Sequence, residues 1–261
     1  MTDREQLLAL YRACFPEDEP SFWEWVFDRL YCPGNTLNLR EEGRIVASLQ
    51  MLPCALRLNG QTFSAHYIYA ASTLPEWQGR GLMARLLEQA AEEGRKKGHD
   101  FSILITQEDS LLDYYARVGY EPRLLLGLGA PVNTMNDGVI RAACEADISE
   151  LNALYEQATV GLLHGDRDAH HWSLLLELFG LGAQVLERNG RITAYAFADE
   201  RGILETVGPE AAALAAHIQP GKPWRTVPIE NARPMGSIKP LNEKARDLME
   251  QNRCCLNLMY N

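Results

Sequence analysis

Apolar residues recur at the helical period over Thr2–Cys14, where Leu7, Leu8, Leu10 and Tyr11 share a face and Phe15 lies just beyond. A second helix is predicted over Ser21–Leu30, with Phe22, Trp25, Val26 and Leu30 turned inward. The pattern then shifts to strands. Thr36–Arg40 and Ile45–Leu52 flank the polar turn Glu41-Glu42-Gly43, and Cys54–Leu58 and Thr62–Thr73 flank Asn59-Gly60, a tight-turn signal. After Gly81 the spacing of Leu82, Met83, Leu86, Leu87, Ala90 and Ala91 draws one continuous helical stripe, which Gly98 closes. Phe101–Thr106 reads as a short buried strand, Ser110–Val118 as a short helix ended by Gly119, and a further strand runs through Leu128.

Ala130–Asp137, with Pro131 inside it and Gly138 following, is the linker candidate and divides the chain into 1–133 and 134–261. The element order then begins again. A strand is predicted over Val139–Ala142 and an amphipathic helix over Asp147–Ala158. Gln184–Glu187 and Thr193–Asp199 form a hairpin across Asn189-Gly190, and Ile203–Val207 is a further strand. Pro209–Ile218 is an Ala-rich helix, Trp224–Ile229 an edge strand because of Pro228, Leu241–Asn252 a helix and Cys255–Tyr260 a closing strand. The repetition rests on element order, not on repeated motifs.

Composition narrows the class. Of 261 residues, 46% are hydrophobic and 23% charged, enough apolar material for a core without disulfide or metal staples. The six cysteines show no CxxC pair, the pattern of reduced thiols in a cytoplasmic protein, and adjacent Cys254 and Cys255 are expected on opposite faces of a strand. The N-terminal stretch carries acids and no long apolar run, which argues against a signal peptide, and no segment has membrane-spanning character. A net charge of -10 disfavours nucleic acid and anionic membranes as partners and favours a cationic small molecule such as an amine.

The chemistry concentrates in Tyr67-Ile-Tyr-Ala-Ala-Ser-Thr-Leu-Pro-Glu-Trp-Gln-Gly-Arg-Gly-Leu-Met-Ala-Arg-Leu-Leu. A strand ends near Thr73, a turn holds Gly79 and Gly81, and a helix starts at Leu82. Backbone N–H groups and the positive helix end then converge on one point, a natural pyrophosphate cradle. The two glycines permit close backbone approach, and Arg80 adds positive charge. A nucleotide-hydrolysing loop would need Lys-Ser/Thr, and a dinucleotide loop a third glycine and a downstream acid; neither is present. The plainer alternative is a turn and nothing more. One strand later comes Asp113-Tyr-Tyr-Ala-Arg-Val-Gly-Tyr-Glu, whose Tyr115 phenol could protonate a leaving thiolate; tyrosines there are otherwise packing residues.

Together these motifs resemble the GNAT superfamily of N-acetyltransferases. Gln78-Gly-Arg-Gly81-Leu-Met83 is similar to its acetyl-CoA loop, with Met83 where a small residue is usual, and Tyr114-Tyr115-Ala-Arg-Val-Gly119-Tyr120 to its tyrosine motif. The resemblance covers about residues 1–130. It implies that acetyl-CoA is the co-substrate and that Ala71, Ser72 and Thr73 pair through their backbone with the pantetheine arm. Gln78 opens the loop. Gly79, Arg80, Gly81, Leu82, Met83 and Ala84 would hold the pyrophosphate, Ser110 would lie beside the thiol end, and Tyr115 would be the general acid. The chain also looks like the tandem branch that includes the enhanced-intracellular-survival acetyltransferases. That implies an α/β (α+β) architecture of tandem GNAT folds, each a mixed, largely antiparallel splayed sheet flanked by helices. Such enzymes use a chain-terminal carboxylate as base, a role that does not transfer readily to Asn261. Around Val207-Gly-Pro-Glu-Ala no second cofactor loop is present, so 134–261 is read as a GNAT-like domain without one.

A base for the amine is sought among His66, Glu108 and the cluster Glu17, Asp18, Glu19, with none selected. His164-Gly-Asp-Arg-Asp-Ala-His-His171 concentrates imidazoles and acids, but its spacing matches no zinc pattern, and a polar loop facing the substrate cleft is the expectation, with no metal. The reading is an N-acetyltransferase acting on a primary amine, with a small polyamine, an aminoglycoside-like antibiotic, an amino acid and a protein lysine all left open as the acceptor. Its rivals are an acyl-CoA-sensing or scaffolding module and transfer of a longer acyl group. Oligomeric state is not readable.

Overall fold

Thr2 caps the first helix: its Oγ1 accepts from the Glu5 N–H while the Glu5 carboxylate accepts from the Thr2 N–H. This helix, α1 (Asp3–Cys14), and α2 (Pro20–Arg29) precede β1 (Thr36–Glu41), β2 (Arg44–Leu58) and β3 (Gln61–Thr73). Then come α3 (Leu82–Lys96), β4 (Phe101–Ile105), α4 (Ser110–Ala116) and β5 (Glu121–Gly129). The second half adds β6 (Val139–Ala142), α5 (Ile148–Ala158), β7 (Leu163–Gly165), α6 (Ala169–Phe179), β8 (Ala183–Arg188), β9 (Arg191–Asp199) and β10 (Gly202–Val207). It ends with α7 (Ala211–Ile218), β11 (Trp224–Thr226), β12 (Arg233–Pro240), α8 (Glu243–Gln251) and β13 (Cys254–Cys255). The structure, a computed structural model, describes residues 1–106, 108–131, 138–227 and 232–256. Most of the expected linker, the end of the Trp224–Ile229 strand with Pro228, most of Cys255–Tyr260 and Asn261 lie outside those residues.

The architecture is mixed α/β, as expected. Two sheets carry it: one of nine strands in the order β1-β2-β3-β4-β12-β5-β13-β7, with β11 on β5, and one of four in the order β10-β9-β8-β6. The expected hairpins form, but Ile45–Leu52 and Cys54–Leu58 are one strand. Pro53 sits opposite His66 in an unbroken register. β12 was not anticipated at all. It comes from the second half and inserts between β4 and β5 of the first, antiparallel to both. The ladder also closes on itself. β2 pairs β3, and the sequence continues through β4, β12, β5, β13 and β7 until β7 returns to Leu56 and Arg57 of β2. The order of strands in the large sheet therefore crosses the 133/134 position.

Burial follows from these faces. On one side of the large sheet Leu7, Leu10, Tyr11, Trp23 and Val26 of α1 and α2 pack on Leu52, Tyr67, Tyr69 and Phe101. On the other, the α3 stripe of Leu86, Leu87 and Ala90 packs on Ala47, Leu49, Ile68 and Leu104. The small sheet buries Val185, Tyr195 and Phe197 under Trp172 and Leu175 of α6. Cys254 and Cys255 do point to opposite faces, one into each core.

Candidate active site

The parallel pairing of β3 with β4 spans only Ala65–Tyr67 against Phe101–Ile103. On its other edge β4 pairs with β12 over all of Phe101–Ile105, while β3 leaves β4 after Tyr67 and runs on to Thr73 along β2. A slot therefore opens between β3 beyond Tyr67 and the end of β4. Register against β2 slips between Ser48 and Gln50, so that β3 bulges at Ala70, which is held at φ +49°. That left-handed conformation costs a non-glycine residue about 1–2 kcal/mol. The bulge takes Ala70 and Ala71 out of the regular ladder with β2.

At the end of β3 the chain turns through Pro75–Trp77 into α3. Gly79 and Gly81 both sit at φ +73°, and a Cβ at either would meet no protein atom within 4 Å. They are thus required by backbone conformation and leave open space outside, as a phosphate cradle needs. No side chain caps α3 through Gly81, so its first amides face that space with the positive end of the helix dipole. Gln78 Nε2 donates to the Thr73 carbonyl (3.2 Å), tying turn to strand. Arg80 folds back, its guanidinium 4.4 Å from the Trp77 ring centre and donating to the Glu76 carbonyl (3.1 Å). Leu82 and Met83 anchor the helix start in the core. Ser72 is buried, its hydroxyl donating to the Ala70 carbonyl (2.9 Å).

Tyr115 lies on α4 in the core beneath α3, edge-on to both Tyr114 and Tyr120. Burial, with Tyr114 adding, pushes its phenol up to about 12, which keeps it protonated at neutral pH. Its hydroxyl makes no hydrogen bond among the described residues. Tyr120 is instead committed to Ser102 (2.7 Å). Ser110 starts α4 at the surface and donates to the Glu108 carboxylate (3.2 Å).

His66 does not reach the slot. It is buried against α3, where a Cβ on Gly94 would stand 2.5 Å from its Cε1, and its Nδ1 lies 2.9 Å from that of His99. Burial, with His99 and Lys97 adding, holds it down to about 3. It is a packed core imidazole. The His164–His171 stretch also departs from expectation. It is no cleft loop: Leu163–Gly165 is a strand, α6 begins at Ala169, and His164, Arg167 and His171 are buried. Arg167 makes a bidentate ion pair with buried Glu205 (2.6 and 2.8 Å) and lies 4.0 Å from the Tyr155 ring centre. The sequence singled out the segment for its imidazoles, whereas its structural centre is the arginine between them. Of the acidic cluster, Asp18 is half-buried, and burial raises its carboxyl against the pull of Arg201.

Comparison with known proteins agrees with this geometry. Residues 1–123, just under half of the chain, match the family model described as acetyltransferase (GNAT) domain. That stretch is therefore similar to a GNAT acetyltransferase domain. No curated protein matches the chain in sequence. Among solved structures, Eis1 from Mycobacterium abscessus is 17% identical with a TM-score of 0.64, covering 93% of this chain and 72% of that one. A probable N-acyltransferase from Enterococcus faecalis V583 gives 11% and 0.66 over 93% of this chain and 71% of its own. N-myristoyltransferase of Saccharomyces cerevisiae with bound myristoyl-CoA gives 11% and 0.58 over 90% and 75%. At such identities these likenesses establish the fold, and they extend across both halves.

Proposed function

We propose that the chain transfers an acetyl group from acetyl-CoA to a primary amine by direct attack. The observation that carries this reading is the coincidence of the β3–β4 slot with the uncapped, glycine-preceded start of α3. The edge of β3 at Ala71–Thr73 suits a pantetheine arm, and the amides from Gly79 to Ala84 suit a pyrophosphate. Bound acetyl-CoA would supply the thioester carbonyl. The chain's part is to hold that carbonyl near the Ala70 bulge, to exclude water with the walls of both halves, and to deliver a proton. Tyr115 is the donor: its high affinity for its proton keeps it in the acid form until sulfur leaves. The second half is read as a GNAT-like unit without a cofactor loop that supplies one cleft wall.

The test is thiol release from acetyl-CoA in the presence of an amine panel, with wild type and Tyr115→Phe compared. Turnover in the variant is expected to fall by about 10²-fold or more with acetyl-CoA affinity unchanged. Unaltered turnover removes Tyr115 from the mechanism. Binding without turnover for any amine would favour the sensing module.

A further inference from the structure

The mouth of the slot is ringed by charge from both halves. On the β3 side Cys14, at the end of α1, donates through Sγ to the Thr73 carbonyl (3.4 Å), which places the following loop and Asp18 at the end of that strand. On the β4 side Thr106 donates its N–H to the Met235 carbonyl (3.0 Å), which brings the start of β12 to the open end of β4. Arg233, the first residue of β12, lies 3.7 Å from Asp109, directly before α4. Arg225, from β11, pairs with Leu128 of β5, two residues along that strand from the Arg233–Leu126 pair. Arg201, from the turn joining β9 to β10, lies within its electrostatic reach.

Arg225 is held firmly. β11 pairs with Gly127–Gly129, and the Trp224 indole lies over Gly129 and donates to the Ala130 carbonyl (3.0 Å). Alternation along the strand then places Arg225 on the face opposite Trp224, beside its cross-strand partner Leu128, which is 38% exposed. Its neighbours Arg201 and Arg233 each have a carboxylate, Asp199 at 2.6 Å and Asp109 at 3.7 Å. Among the described residues Arg225 has no such partner. It is half-buried, and burial together with Arg233 and Arg201 presses on its charged state, with only Asp199 opposing. A guanidinium kept in that position without an anion is electrostatically costly. Its planar fork fits a carboxylate through two parallel hydrogen bonds.

We propose that Arg225, with Arg233 beside it, binds a carboxylate carried by the amine acceptor, so that the acceptor is an amino-acid-like molecule and not a simple amine. Half-buried Asp18 across the mouth offers the complementary charge to the acceptor's ammonium group before it loses its proton. The second half thereby selects the acceptor, and the proposal rests on the acetyl-transfer reading above.

The experiment compares kcat/KM for L-amino acids with that for their C-terminal amides, by thiol release, in wild type, Arg225→Gln and Arg225→Lys. Wild type is expected to prefer the free acid by about 10–100-fold, the worth of a charge-assisted bidentate contact. The preference should collapse towards parity in Arg225→Gln and persist in part in Arg225→Lys. Unfolding midpoints and acetyl-CoA affinity, measured on the same samples, separate a folding defect from a recognition defect. Equal use of acids and amides by wild type, or an undiminished preference in Arg225→Gln, overturns the proposal. So does acetyl-CoA binding with no turnover of any amino acid. Absence of acetyl-CoA binding in wild type instead overturns the underlying reading.

Discussion

The chain contains two strand–turn–helix passages that resemble each other in order and differ in what fills the turn. In the first half β3 leads through Gly79 and Gly81 into α3; in the second, β10 leads through Gly208 into α7. Around Gly79 and Gly81 the space is open, and the helix start is uncapped. At Gly208 a Cβ would stand 2.3 Å from the Thr193 carbonyl oxygen, so the turn is pressed onto β9. The helix start there already has its own anion: Glu210 accepts from Thr193 Oγ1 (2.6 Å) and pairs with Arg188 (2.8 Å). Neither helix start has a side-chain cap, but at the second the turn's own amides meet backbone carbonyls, Glu210 N–H donating to that of Thr193 and Ala211 N–H to that of Gly208. The same backbone plan thus leaves open space at one turn and is packed onto a strand at the other.

The largest expected effect that would break this contrast is a matched pair of alanine substitutions. Gly208→Ala meets both φ +121° and the Thr193 carbonyl, and should cost about 2–3 kcal/mol in urea unfolding. Gly81→Ala meets strain alone at φ +73°, and should cost about 1 kcal/mol while weakening acetyl-CoA binding. Equal stability losses would mean the two turns are packed alike.

A smaller effect sharpens the contrast at the level of protons. Each half buries an imidazole that is held well below its ordinary range: His66, and His171, which burial, with Arg167 and His170 adding, also holds down to about 3. In the unfolded chain both titrate near ~6.5. Between those values the unfolded chain binds protons that the folded chain does not, so stability falls as pH drops from about 6.5 towards 3. His66→Gln and His171→Gln should each flatten that slope by up to about 1.4 kcal/mol per pH unit, read from urea midpoints between pH 6.5 and 4.5. Profiles parallel to wild type would show that these imidazoles are not held neutral by the fold.

Periodicity made most elements legible. The α3 stripe, the two early hairpins and the Gly79–Gly81 turn all follow from local spacing, because each is stabilised by neighbours close in sequence. β12 was hidden for the opposite reason. Arg-Pro-Met-Gly-Ser-Ile-Lys-Pro has two prolines and a glycine, and it becomes a strand only because β4 and β5 stand open on either side. α6 was masked by the polar His164–His171 run, since nothing local announces that Arg167 will be buried against Glu205 from β10. In the site, the turn and the position of Tyr115 were readable, whereas the Ala70 bulge and the Arg201–Arg225–Arg233 cluster arise from contacts between distant segments. His66 shows the converse: a histidine on the right strand, facing the wrong side of it.

The central claim is that the chain has one acyl-CoA site, at the open turn. Isothermal titration of wild type and Gly81→Glu with acetyl-CoA tests it most directly. The account predicts one acetyl-CoA per wild-type chain and none for Gly81→Glu, whose carboxylate would put a negative charge at the start of α3 where the pyrophosphate is proposed to lie. Two per chain, or binding that survives in Gly81→Glu, would contradict it.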